Sequence, residues 1–314
     1  MTRRTVKLGG AQLGPISRDE PRSSVVARMI DLLGQAADAS CDFVVFPELA
    51  LTTFFPRWYT EDIDGHDHYY ERSMPGPETQ PLFDVAKQLG IGFALGYAEL
   101  TEPDPDGVVH RYNTTVLVEQ DGSIVGRFRK VHIPGHDTDE PWRSFQHLER
   151  RYFEESHEGF PVFKAFNAIV GLATCNDRRW PETYREMGLQ GVEIIAIGYN
   201  TPIHYAPDPS QNALQGFHSH LVMQAGAYQN GTWVVGVAKG GTEEGVESLA
   251  QSCIIAPSGQ IIAQAVSADD ELISAVADLD WCKKYKKTVF DFDLYRRPEM
   301  YRRITQPKGV SYVD

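Results

Sequence analysis

Apolar residues along this chain fall into two recurring patterns. Thr5–Gln12 reads as a strand, and beyond it Val26, Met29, Ile30, Leu33, Ala36 and Ala37 recur at i, i+3, i+4, i+7 spacing, as on an amphipathic helix. Phe43–Phe46 is a buried-type strand, Pro81–Leu89 a short helix and Ile91–Glu99 a further strand. Val116–Val125 carries a hairpin signal, with Asp121-Gly122 at the turn. The second half repeats the plan: strand Ile169–Thr174, helix Glu182–Met187, strand Glu193–Tyr199, helix Phe217–Asn230 and strand Trp233–Ala238. Ser252–Gln264 makes a hairpin over Ser258-Gly259, and Ile273–Asp280 is a last strand. Helix-separated strands interleaved with hairpins predict an α/β protein with mixed sheets and helices on their outer faces. The chain reads as one domain over 1–280 and a C-terminal tail, 281–314, charged and aromatic without sustained periodicity.

Three strand ends carry chemistry. Ala168–Thr174 runs apolar and stops on Cys175, followed by Asn176, Asp177, Arg178 and Arg179. In an α/β protein the carboxyl end of a strand is where reactive groups sit, and nearby positive charge favours a thiolate. Asp42-Phe-Val-Val-Phe-Pro-Glu ends a second strand on Glu48, after Pro47, which cannot donate to a sheet ladder. Ile124-Val-Gly-Arg-Phe-Arg-Lys-Val-His-Ile-Pro places Lys130 inside a basic, roughly alternating strand that Pro134 closes. Singly, each has a plain explanation: a packed cysteine, a solvated glutamate, a surface lysine.

Together, Phe46-Pro-Glu-Leu, Arg129-Lys-Val-His-Ile-Pro and Thr174-Cys-Asn-Asp-Arg-Arg-Trp-Pro-Glu resemble the three signature blocks of the nitrilase superfamily, in its order. The resemblance runs from about Val6 to about Pro298. It implies a four-layer α-β-β-α sandwich of two mixed sheets, which periodicity alone does not give. Longer segments resemble the N-carbamoyl-D-amino-acid hydrolases within that superfamily: Phe46 to Trp58, Phe145 to Glu154, Cys175 to Thr183, Gly198-Tyr-Asn-Thr-Pro and Met223 to Gly231. Departures lie at Thr101–Val109, Thr201–Gln215 and beyond Pro298.

The resemblance implies hydrolysis of an N-carbamoyl-D-amino acid to the D-amino acid, ammonia and carbon dioxide. A ureido carbon is a poor electrophile, and covalent catalysis divides its hydrolysis into two easier steps. Cys175 is then the nucleophile, Glu48 the general base and Lys130 the cation that offsets the oxyanion, with the Asn176 N–H as a second donor. Glu149 matches a further glutamate that orients Lys130 or moves protons; the other reading pairs it with Arg150 or Arg151 on a helix surface. By the same resemblance Arg178 and Arg179 clamp the substrate carboxylate, and Asn176, Thr201, His132 and His147 align with pocket positions. An N-carbamoyl β-amino acid or a carboxylated amide would suit the same three groups with a different pocket.

Composition narrows the partners. Among 314 residues, 43 acidic and 30 basic side chains give a net charge of −13, which argues against a nucleic-acid footprint. No stretch approaches the ~20 apolar residues needed to span a bilayer, and the start passes straight into a strand pattern without a signal-peptide apolar region. Cysteines 41, 175, 253 and 282 have no paired spacing, as expected in a reducing cytoplasm. His66 and His68, His132 and His136, and His218 and His220 raise a metallohydrolase as a rival. There is no HExxH, and an i, i+2 pair in a helix does not share a face. The expectation is therefore no metal and no cofactor, a small N-carbamoyl amino acid as partner, no nucleic acid and no membrane. The aromatic tail can pack on its own domain or on a neighbouring subunit; the resemblance implies a homodimer or homotetramer.

Overall fold

In the computed structural model, which describes residues 4–310, the elements follow in this order. The first half contains β1 (Thr5–Gln12), α1 (Arg22–Asp38), β2 (Phe43–Val45), α2 (Gln80–Leu89), β3 (Gly92–Leu100), β4 (Arg111–Val118) and β5 (Ile124–Arg129). After α3 (Glu149–Tyr152) come β6 (Val162–Ala165), β7 (Ala168–Thr174), α4 (Pro181–Leu189), β8 (Ile194–Tyr199), α5 (Gln215–Asn230) and β9 (Trp233–Ala238). The small ribbon β10 (Thr242–Glu243) and β11 (Val246–Glu247) precedes β12 (Cys253–Ile255), β13 (Ile261–Gln264) and β14 (Glu271–Asp278). Helices α6 (Asp280–Lys286) and α7 (Phe292–Tyr295) follow.

Two six-stranded sheets form, in the orders β14-β1-β2-β3-β4-β5 and β13-β12-β9-β8-β7-β6. Each has a parallel trio at its centre, β1-β2-β3 and β7-β8-β9, flanked by antiparallel strands. The apolar pattern explains the layering. Leu8, Phe43 and Val45 from one sheet meet Val170, Ile194 and Val235 from the other in a central core. Val25, Met29, Leu32 and Leu33 of α1, with Leu82 and Phe83 of α2, cover the outer face of the first sheet. Tyr184 and Met187 of α4 and Met223 and Ala227 of α5 cover the second. The result is the α-β-β-α sandwich. Pro81 at the start of α2 and left-handed Gly90 just past its end, with φ 67°, set that helix's limits.

Differences from the sequence reading lie at strand ends and after residue 278. The basic strand stops at Arg129, so Lys130 lies just beyond the sheet edge, tied by its N–H to the Asn113 carbonyl at 2.9 Å. Strand β6 has half-buried apolar residues and a lysine in four positions, too short to announce itself. The last strand runs Glu271–Asp278; Leu279, just before α6, and Cys282 within it pack into the central core. Beyond α6 the tail lies against α4 and α5: Phe290 meets Tyr228 edge-on at 4.9 Å, and Arg185 sits 4.3 Å over the Phe292 ring.

Candidate active site

Glu48, Lys130 and Cys175 meet where strands of the two sheets end side by side. The segment after β2 is wedged between the sheets, and two glycines make room for it. A Cβ on Gly96 of β3 would fall 2.6 Å from the Pro47 carbonyl oxygen, and one on Gly198 of β8 would fall 2.6 Å from the Glu48 nitrogen. No side chain fits at either place. Cys175 leaves β7 with φ 46°, a left-handed conformation that a cysteine adopts only when its surroundings hold it. The turn after it, Cys175–Arg179, is held by Asp177. Its carboxylate accepts from the Thr174 N–H at 3.3 Å and from the His132 N–H and Nδ1 at 2.9 and 2.8 Å.

The charged groups form one buried cluster. Lys130 Nζ donates to Glu48 Oε1 at 2.7 Å and to Glu149 Oε2 at 2.5 Å, and all three side chains are sealed from solvent. His147 Nε2 lies 3.0 Å from the other Glu149 oxygen. Glu149 thus faces inward onto Lys130 and does not pair with Arg150 or Arg151 on a surface. The two carboxylates differ sharply. Burial pushes the Glu48 carboxyl up, and the Glu149 charge adds to this against Lys130. For Glu149 burial acts in the same direction, but Lys130 and His147 overcome it and hold the carboxyl at about 2. One carboxylate is therefore a permanent counter-ion of the ammonium, and the other is free to exchange a proton.

The nucleophile differs from its sequence reading. Burial, with the Glu48 charge, pushes the Cys175 thiol up to about 11, against the pull of Lys130 and Arg178. The arginines do not produce a resting thiolate; desolvation wins, and the thiol needs a base.

A cavity of about 790 Å³ opens onto Cys175. Asn176, Arg179, Thr201 and His147 line it, with Asn200, Phe145, His204 and Tyr205 among the other walls. Arg178 does not. Its fully buried guanidinium donates to the Cys175 carbonyl at 2.7 Å, to Thr201 Oγ1 at 2.9 Å and to Ser219 Oγ at 3.3 Å, and stacks 4.2 Å over the Tyr199 ring. The two-arginine clamp expected from the sequence is thus divided: Arg179 faces the cavity, and Arg178 braces the nucleophile's backbone. Arg179 has no carboxylate partner among the described residues, and burial beside Arg178 lowers it to about 10. His132 also lies away from the cavity wall, stacked on Trp180 at 4.9 Å and bonded to Asp177, so its place is behind the turn. The histidines weighed as metal ligands are dispersed; among the described residues no three His, Cys, Asp or Glu side chains converge as a metal site would require. No helix among them is long and apolar enough to cross a membrane.

Sequence reasoning missed Asn113, whose Nδ2 donates to Glu48 Oε1 at 2.8 Å. It also missed Asp177 as the brace of the turn and Asn200, whose carbonyl lies 3.8 Å from the thiol. Asp177 had a local signal, since an acidic residue three positions after Thr174 is a capping-box spacing. Asn113 had none.

The carbon-nitrogen hydrolase family model matches residues 7–287. A protein named nitrilase 2, from an unknown prokaryotic organism, is 31% identical and covers 95% of this chain and 91% of its own length. The N-carbamoylputrescine amidase of Arabidopsis thaliana is 29% identical, with 91% and 92% covered. A crystal structure of a carbon-nitrogen hydrolase from Helicobacter pylori superposes with a TM-score of 0.81 at 21% identity, over 97% of this chain and 99% of that one.

Proposed function

The chain belongs to the carbon-nitrogen hydrolase family, and from that premise we propose that it hydrolyses N-carbamoyl-D-amino acids through a covalent intermediate on Cys175. The observation that carries the substrate class is Arg179: a half-buried guanidinium without a carboxylate partner among the described residues, on the wall of the cavity that reaches the thiol. A planar guanidinium suits two-point binding of a carboxylate, and a buried cation gains most from such a partner. The relatives named N-carbamoylputrescine amidase support a carbamoyl group as the reacting end. D-handedness rests on the sequence resemblance.

In the first step Glu48 takes the thiol proton while sulfur attacks the carbamoyl carbon, and the carbonyl π pair moves onto oxygen. Lys130 offsets that negative charge in a site closed to solvent. The tetrahedral adduct collapses, the bond to the amino acid's nitrogen breaks, and Glu48 returns the proton to that nitrogen. The enzyme is left with a carbamoyl group on sulfur. Water, deprotonated by the same carboxylate, attacks this group and releases the thiol with carbamic acid, which divides into ammonia and carbon dioxide. A carboxylate whose affinity for protons is raised by burial serves both directions of transfer. The same reading takes the molecule as an assembly of two or four copies, to be measured by sedimentation equilibrium.

The deciding assay is ammonia release from N-carbamoyl-D-phenylalanine, its L-enantiomer, N-carbamoyl-β-alanine, N-carbamoylputrescine, an aliphatic amide and a nitrile. The D-carbamoyl compound should be fastest. Equal rates on the enantiomers would remove the D-specific claim. Preference for the β-amino acid derivative would keep the carboxylate contact and change the pocket. Preference for the diamine, amide or nitrile would overturn the role of Arg179.

A further inference from the structure

Asn113 lies on β4, fully buried, beside the general base. Its Nδ2 donates to Glu48 Oε1 at 2.8 Å and comes within 3.5 Å of Glu149 Oε2. Two carboxylates converge on this amide and offer it only acceptors, so its NH₂ end must face them. Lys130 Nζ reaches the same Glu48 Oε1 at 2.7 Å. Oε1 therefore takes two donors, which occupy both of its lone-pair directions. Oε2 is equally buried and has no hydrogen-bond partner. Cys175 is close enough to stabilise the charge on this carboxylate. The backbone of Asn113 also matters, because its carbonyl accepts the Lys130 N–H at 2.9 Å. One residue thus fixes both the base and the start of the segment bearing the ammonium.

We propose that Asn113 is a positioning residue that selects which oxygen of Glu48 accepts the nucleophile's proton. By saturating Oε1 together with Lys130, it leaves Oε2 as the only basic oxygen and stops the carboxylate from rotating about its last bond. Without the amide, Oε1 keeps only the Lys130 donor and regains a free lone pair, so it can compete with Oε2 for the proton. The inference rests on the reading of Glu48 as the base.

The test follows the rate of Cys175 alkylation by iodoacetamide across pH, which requires no knowledge of the substrate, with mass spectrometry confirming the modified residue. The groups that face Glu48 are Lys130, Glu149 and Cys175, with the buried ammonium of Lys239 also within electrostatic reach and Arg178 beyond the thiol. Removing a donor to an ionised carboxylate raises its pKa. In Asn113→Ala and Asn113→Ser the acidic limb of the profile should therefore move up by about one pH unit. Asn113→Asp, of the same shape but with a third carboxylate, should move it further. With N-carbamoyl-D-phenylalanine, kcat should fall about 10- to 100-fold with little change in KM. Thr114→Val, next to Asn113 on β4, is the control: it removes a buried hydrogen bond, 2.6 Å long, to Glu99 of β3 and touches nothing in the site. Its profile should match the wild type. An unmoved acidic limb in all three folded Asn113 variants would overturn the proposal. If instead Glu48→Gln kept near-wild-type kcat, it would be the reading of the base that fails.

Discussion

Cys175 shows how burial can reverse a conclusion drawn from neighbouring charges. Two arginines close in sequence suggest a thiolate, yet one of them spends its short hydrogen bonds on backbone and hydroxyl oxygens and reaches the sulfur only at 3.8 Å, and desolvation dominates the thiol. The sequence reading of Glu48, Lys130 and Cys175 rested on the resemblance carried by three short blocks near strand ends, whereas the state of the thiol depends on how deeply it sits. Above the acidic limb set by Glu48, alkylation of Cys175 should therefore rise again on the alkaline side, towards the value of about 11. The other three thiols are also buried and raised, and none of them lines the cavity that reaches Cys175, so iodoacetamide should spare them and their alanine variants should stay active. Glu48→Gln keeps the shape and loses the acceptor; kcat should drop by about 10²–10⁴ while substrate still binds. The arginines should separate in kinetics. Arg179→Ala should raise KM about 10- to 100-fold, because a charge-assisted contact of ~1.5–3 kcal/mol is lost. Arg178→Ala should chiefly lower kcat, because the left-handed Cys175 loses the donor that holds its carbonyl. The opposite pattern would return Arg178 to the substrate carboxylate.

At the scale of elements, regular strands and helices were legible because their apolar periodicity is local. Trp233–Ala238 is a strand in sequence and structure alike, and Phe217–Asn230 marks α5 to within two residues. Strand β6 and helix α6 were not, since four residues with two half-buried positions and a short lysine-rich helix carry little pattern. Least legible was the fit between elements. Gly96 and Gly198 read as ordinary strand glycines, but they are the places where the Glu48 segment approaches the backbone of both sheets. The approach is too close for any Cβ. Gly198→Ala should therefore displace Glu48 and cost activity out of proportion to stability. A folded variant with near-wild-type turnover would show that the segment can shift without harm. Asp177→Asn tests the turn in the same way, since its two oxygens hold Thr174 and His132 in place; both activity and thermal midpoint should fall.

Across the whole molecule a second buried charged cluster ties distant parts of the chain together, and nothing local foretold it. Glu243, in the unremarkable run Thr242-Glu-Glu-Gly, reads as a surface residue, yet only 2% of it is exposed. One of its oxygens accepts from the Phe54 N–H at 2.7 Å and Arg57 Nη1 at 3.1 Å; the other accepts from the Ile16 N–H at 3.1 Å and Lys239 Nζ at 3.2 Å. Phe54 and Ile16 are 189 and 227 residues away in the chain, a separation no sequence window spans. The cluster pins the loop that follows Glu48, and the same loop supports the other side of the site: the Pro56 carbonyl accepts the Leu148 N–H, and the Phe54 ring meets His147 edge-on. Glu243→Gln should leave the cations Lys239 and Arg57 buried without a counter-charge, at a cost of about 3–5 kcal/mol. The pH dependence follows from the carboxyl itself. Burial raises it, but Lys239, Arg57 and the two backbone N–H groups outweigh burial and leave it below the ordinary value. A carboxylate lowered in the folded state stabilises fully above its unfolded pKa of about 4.3 and loses that contribution as pH falls through the folded value. Urea unfolding of the wild type and Glu243→Gln should thus differ by a constant amount between about pH 6 and 8 and converge below about pH 4. A difference that persists undiminished into acid would mean that Glu243 acts by shape and hydrogen bonding, and that its charge is dispensable to the loop behind the general base.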